Sequence, residues 1–106
     1  MKVDNIKQVA VIGAGAMGAQ IAQVMAQVGG YTVTVNDIRQ ELVDGGMRFI
    51  REGLKKFFVD KGKMSQAQMD ELMSRIQGNV NIEECVKNAD FVIEAAISPA
   101  HGSSGL

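Results

Sequence analysis

The 106 residues hold eleven Lys and Arg against twelve Asp and Glu, a formal charge of −1, with 46% hydrophobic and 5% aromatic residues. That is enough chain for one core and no second domain; it is too apolar for disorder and too evenly charged for a cationic nucleic-acid binder. One cysteine, Cys85, and one histidine, His101, exclude an internal disulfide framework and a Cys- or His-built metal site.

Met1 to Lys7 is polar, and the apolar run from Val9 is short and ends at glycine, so no secretory leader is expected. No run of 18 apolar residues is present to span a membrane. The expectation is a soluble protein of a reducing, cytoplasmic compartment, without a membrane or nucleic-acid partner.

Gln8 to Ile12 (QVAVI) predicts a strand buried on both faces and closed by Gly13. From Ala16 the period changes. Met17, Ile21, Val24, Met25 and Val28 recur at three- and four-residue spacing and predict an amphipathic helix that ends at Gly29-Gly30. Tyr31 to Val35 is a second strand, ending at Asn36-Asp37. A long helix follows, its buried stripe formed by Val43, Met47, Ile50, Leu54, Phe57 and Phe58, and Lys61-Gly62-Lys63 interrupts it. Ser65 to Gln68 reads as a capping box opening another helix, with Met69, Leu72, Met73 and Ile76 on its inner face and Gly78 as its stop. Asn79 to Ile82 suggests a short third strand, Glu83 to Lys87 one helical turn, and Asp90 to Ala96 a fourth strand. Cys85 and the seven methionines read as core filler. Alternation of this kind predicts a parallel sheet with helices on its faces, in strand order 3-2-1-4. From Ser98 the chain is small, polar and turn-rich, giving a domain over 1–97 and an unstructured tail over 98–106.

Gly13-Ala14-Gly15-Ala16-Met17-Gly18 is G-x-G-x-x-G placed between a buried strand and an amphipathic helix, the context a dinucleotide fingerprint requires. Gly13 permits the tight turn, Gly15 lets a pyrophosphate approach the backbone, and Gly18 lets the helix pack close to the strand. The helix N-terminus offers free N–H groups and a positive dipole end to the anion. Asp37 comes 19 residues after Gly18, where a carboxylate accepts both ribose hydroxyl hydrogens and repels a 2′-phosphate, favouring NAD over NADP. Arg39 pulls the other way, since it is placed to reach a 2′-phosphate or to lie over the adenine. Residues 48–63 carry six cations against two anions; this is either the solvated face of a helix or a phosphate site, and the spacing alone does not choose. Glu94, amid apolar neighbours, needs a partner or the sheet's carboxyl edge. No catalytic set emerges, and the histidine sits in the tail without a positioned partner.

These segments together (VAVIGAGAMGAQIAQ, then VNDI, a basic helical pair ending in KGKM, and ADFVIEAA) resemble the NAD-binding domain of 3-hydroxyacyl-CoA dehydrogenases over about Lys7 to Ile97. The resemblance implies an α/β fold, a partial Rossmann-type doubly wound parallel sheet with an inserted helical hairpin. It implies oxidation of 3-hydroxyacyl-CoA to 3-oxoacyl-CoA with NAD. Gly13, Gly15, Ala16, Met17, Gly18, Asp37 and Ile38 would hold the adenosine and pyrophosphate half of the cofactor, and Ala95 and Ala96 would line the crevice. Lys55, Lys56 and Lys61 of the hairpin would meet the phosphates of an acyl-CoA substrate. Ser98 stands where the family places a glutamate. The family's catalytic histidine segment, and the helical domain through which it dimerises, have no counterpart here, so the resemblance implies a truncated copy, inactive alone. A non-catalytic NAD-binding module or gene remnant is the alternative. β-Hydroxyacid dehydrogenases share G-x-G-x-M-G but lack the long basic hairpin.

Overall fold

The computed structural model describes residues 7–95. Four strands, β1 (Gln8–Ile12), β2 (Thr32–Asn36), β3 (Ile76–Gly78) and β4 (Phe91–Glu94), alternate with four helices, α1 (Ala16–Gln27), α2 (Gln40–Leu54), α3 (Gln66–Ser74) and α4 (Ile82–Asn88). The strands form one parallel sheet in the order β3-β2-β1-β4, as the alternation predicts.

Register explains which residues form the core. Val9 pairs with Val33 and Phe91, and Val33 pairs with Ile76; two residues on, Val11 pairs with Val35 and Ile93. Side chains alternate across a strand, so these rows share one face. Val9, Val11, Val33, Val35 and Ile76 are buried there beneath α1, α2 and α3, together with Ile50, Leu54, Met69 and Leu72. The intervening row, Ala10 with Thr34 and Val92, points the other way, toward the side where α4 packs on β1 and β2. β4 is stapled to β1 at its start, where the Asp90 carboxylate accepts the backbone N–H groups of Lys7 (2.9 Å) and Gln8 (3.0 Å). Those two bonds hold the Asp90 carboxyl below its usual value.

Five local readings need correction. α1 does not bury its large residues: Met17, Val24 and Val28 are at least half exposed, and Ile21 and Met25 are only partly covered. Its buried face is Gly18, Ala19, Ala22 and Ala26, because the helix runs close against both the sheet and α2, where only small side chains fit. Phe57 also faces solvent. α2 runs into a π-helical turn, Lys55–Val59, with an i−5 bond from the Asp60 N–H to the Lys55 carbonyl. The extra residue in that turn retards the helical phase, so Phe58 and Val59 reach the core and Phe57 swings out. Ile76 lies on β3 rather than α3, and Asn79 to Ile82 is not a strand: residues 79–81 lead into α4, which begins at Ile82. Gly78 serves β3: a Cβ there would overlap Val43 Cγ1, so the glycine lets α2 cross the strand. The capping box of α3 forms as expected, with Ser65 Oγ accepting from the Gln68 N–H and Gln68 Oε1 accepting from the Ser65 N–H. Cys85 is buried and free, and burial raises its thiol pKa.

Candidate functional site

At the carboxyl end of β1 the chain turns sharply. Gly13 takes φ +114°, a conformation that side-chain-bearing residues avoid, and its N–H donates to the Asn36 carbonyl at 2.7 Å. The chain then enters α1 through Gly15, and the first intrahelical bond runs from the Ala19 N–H to the Gly15 carbonyl. The N–H groups before Ala19 have no intrahelical acceptor. In α3 and α4, Ser65 and Asn81 close the equivalent ends, and α2 carries Glu41 in its first turn. α1 has neither a side-chain cap nor an acidic residue there. Its positive end therefore faces outward without a capping or acidic side chain from the helix itself, as an anion site requires.

The three glycines do different work. A Cβ on Gly18 would overlap the Gly13 carbonyl oxygen, so this glycine is needed for α1 to seat on the turn. A Cβ on Gly15 would meet no atom of the described residues within 4 Å. Its φ of −69° and ψ of −174° suit any residue, so nothing inside the fold requires glycine there. The room beside Gly15 faces an open cleft of about 350 Å³ lined by Gly13, Gly15, Ala16, Met17, Gly18, Asp37 and Ala95. Those seven are drawn together from β1, α1, β2 and the end of β4. At Gly15 no side chain stands between the cleft and the start of α1, which leaves room there for an anionic group.

Asp37 lies just past β2, and both carboxylate oxygens accept backbone N–H groups. Oδ2 takes that of Ala14 at 2.8 Å, and Oδ1 that of Ile38 at 2.7 Å. Each oxygen keeps a second lone pair for a further donor. Ile38, next in line, is 83% exposed, an apolar side chain beside the cleft with no place in the core. Glu94 is the exposed last residue of β4, opposite Ile12, at the carboxyl edge of the sheet. Ala96 lies outside the described residues, as do Ser98 and His101.

Lys55, Lys56 and Lys61 are not brought to this cleft. Lys55 pairs with Asp60 at 3.1 Å, the Lys56 ammonium lies 5.4 Å from the centre of the Phe57 ring, and all three side chains are exposed. Sequence reasoning missed Gly46. A Cβ on this mid-helix glycine of α2 would lie 2.6 Å from the Ala14 carbonyl oxygen and 3.1 Å from Ala14 Cβ. α2 thus supports the glycine turn from behind, and the available signal was a glycine inside an otherwise regular helical pattern.

Among the described residues no group of His, Cys, Asp and Glu is placed to hold a metal ion, and no helix is long and apolar enough to cross a membrane.

Comparison with known proteins agrees with this geometry. The family model described as "3-hydroxyacyl-CoA dehydrogenase, NAD binding domain" matches residues 8–100. A fatty acid oxidation complex subunit alpha from Psychrobacter arcticus is 40% identical over 96 residues, covering 91% of this chain and 13% of that protein. A probable 3-hydroxybutyryl-CoA dehydrogenase from Bacillus subtilis is 37% identical over 91 residues, covering 86% of this chain and 31% of that one. The crystal structure of (S)-3-hydroxybutyryl-CoA dehydrogenase from Ralstonia eutropha superposes with a TM-score of 0.81 at 34% identity, over 88% of this chain and 32% of its own. The chain thus spans a third or less of each of these relatives. With the glycine cradle, the open helix end and the carboxylate after β2 all in place, the chain belongs to the family of the NAD-binding domain of 3-hydroxyacyl-CoA dehydrogenases, and its cofactor is NAD.

Proposed function

We propose that this chain is the part of an NAD-dependent 3-hydroxyacyl-CoA dehydrogenase that grips the adenosine and pyrophosphate half of the cofactor. The pyrophosphate lies against Gly15, Ala16 and Met17 at the α1 N-terminus, and Asp37 accepts the hydroxyl hydrogens of the adenosine ribose. Ile38 supplies apolar surface to the adenine, and Ala95 walls the cleft toward β4. The contrast between Gly18, whose Cβ position is filled by backbone, and Gly15, whose Cβ position is empty, carries this reading. A glycine at a position where the fold would accept a side chain leaves room for a ligand at the helix amides.

Bound NAD supplies the hydride acceptor for oxidation of the hydroxyl of a 3-hydroxyacyl-CoA. That reaction also needs a base at the hydroxyl and a wall that holds the substrate near the nicotinamide. The cleft's ionisable lining is Asp37, which serves the ribose. The 106 residues assayed alone are therefore expected to bind NADH without reducing acetoacetyl-CoA. Lys55, Lys56 and Lys61 remain candidates for the phosphates of coenzyme A, on a surface apart from the cleft.

The test is calorimetric titration of the chain with ADP-ribose, NADH and NADPH. ADP-ribose and NADH should bind with similar affinity, because both present the same half to the cleft. NADPH should bind more weakly, its 2′-phosphate set against Asp37. Equal binding of NADPH, or NADH strongly preferred over ADP-ribose, would overturn the assignment of these residues.

A further inference from the structure

Resting on the NAD reading, we propose that Asp37 has a second role, in which its carboxylate is the anchor that sets the glycine turn before any nucleotide arrives. Two consecutive residues of the turn are tied to the last residue of β2 and the one that follows it. The Gly13 N–H donates to the Asn36 carbonyl at 2.7 Å, and the Ala14 N–H donates to Asp37 Oδ2 at 2.8 Å. The first tie is backbone and survives any substitution at position 37. The second depends on one side chain. Its orientation is itself held, since Oδ1 accepts the Ile38 N–H at 2.7 Å.

Ala14 is tightly packed on its α2 side. It is 4% exposed, and α2 closes on it where Gly46 lacks a Cβ, with 2.6 Å between that vacant position and the Ala14 carbonyl oxygen. Without the carboxylate, the part-buried Ala14 N–H loses its protein acceptor, and the turn is free to rotate that peptide toward another one. Rotation of the 13–14 peptide, which carries that N–H, redirects the turn and the amides that follow it toward the cleft. Asp37 therefore serves both halves of the site: its remaining lone pairs take the ribose, and its occupied ones hold the phosphate amides in place.

The two roles separate with a nucleotide that lacks the ribose hydroxyls. ADP and 2′,3′-dideoxy-ADP are titrated into the wild-type chain, Asp37→Asn and Asp37→Ala by calorimetry. Asn removes the negative charge near the phosphates and keeps one oxygen acceptor, which can take the Ala14 N–H at the expense of the Ile38 N–H. Ala removes both. Asp37→Ala should bind dideoxy-ADP about tenfold more weakly than wild type. Asp37→Asn should bind the same nucleotide clearly more tightly than Asp37→Ala does. Both variants should weaken ADP. If Asn and Ala bind dideoxy-ADP alike, the anchoring role is wrong and the ribose role stands. If the wild type binds neither nucleotide, the NAD reading fails and takes this role with it. Amide hydrogen exchange of the nucleotide-free wild type gives a test that requires no variant to fold. The Ala14 N–H should exchange far more slowly than that of Gly15, and equal rates overturn the anchor.

Discussion

Substituting Gly15 with alanine separates the demands of the fold from those of the ligand. The new methyl meets no atom of the described residues within 4 Å, and the backbone angles there are open to alanine. Two small effects on stability oppose each other. Alanine restricts the unfolded chain, worth about 0.4–1 kcal/mol in favour of folding. It is also a poorer N-cap than glycine, by about 0.5–1 kcal/mol. The net change should fall within about 0.5 kcal/mol, a shift of a few degrees at most in the melting temperature. Binding should respond far more. On the proposed assignment the methyl stands where phosphate oxygens would approach the amides, and losing one charge-assisted bond costs about 1.5–3 kcal/mol, or roughly 10- to 100-fold in affinity. Gly18→Ala gives the opposite signature, because its methyl would have to occupy the place of the Gly13 carbonyl. Overpacking there should cost about 1–3 kcal/mol or more of folding stability. Thermal melts without ligand and calorimetry with ADP-ribose measure both quantities. A Gly15→Ala chain that melts normally and binds ADP-ribose as well as wild type would refute the phosphate assignment.

The neighbouring pair Gly45 and Gly46 should respond to alanine with opposite signs. Gly45 has open space around it and should gain about 0.5–1 kcal/mol of helix stability, whereas Gly46 would drive a methyl against Ala14 and should lose stability in chemical denaturation. Asp90 supplies a pH dependence. Its folded-state pKa lies below the unfolded value, so its contribution is complete above about pH 4 and is lost as the pH falls through the folded value. Asp90→Asn should therefore flatten the acid limb of a stability-versus-pH curve while changing its slope near neutrality little. Cys85 is buried, with its thiol pKa raised first by desolvation, so it should resist a disulfide reagent at neutral pH in the native chain and react at once in denaturant.

The glycine turn and the α3 cap were legible in the sequence because both are encoded locally, and the strand order followed from the alternation of elements although its third strand was misplaced. QVAVI ends at a glycine that alone accepts φ +114°, and Ser65 and Gln68 cap a helix within their own four residues. The buried face of α1 was not legible. Hydrophobic periodicity weights large side chains, and Met17, Val24 and Val28 outweighed the alanines that make the contact. The π-helical turn was hidden for a related reason: a regular 3.6-residue stripe carries Phe57 inward, and only the Asp60 to Lys55 bond shows the inserted residue. At the site, the sequence pointed to Asp37 as a ribose acceptor, yet its bond to Ala14 spans 23 positions and needs the β1–β2 register to be seen. Gly46 depends on a helix crossing, which no spacing within α2 encodes.

The placement of β1 at the middle of the sheet has a consequence for synthesis. Its two neighbours come later in the chain, and Asp90, which takes the N–H groups of Lys7 and Gln8, follows Lys7 by 83 residues. At about 5–20 residues per second, the ribosome needs roughly 4–16 s between making the first strand and making the residue that closes it. During that interval β1, β2 and later β3 can pair, and α1 can settle on them, while the β4 side of β1 stays an unpaired apolar edge. The glycine turn and Asp37 belong to the early part. The wall at Ala95 belongs to the late part, so the nucleotide cleft gains its floor on a nascent chain before it gains its side. A cofactor present during translation would meet an incomplete cradle that already carries its ribose acceptor.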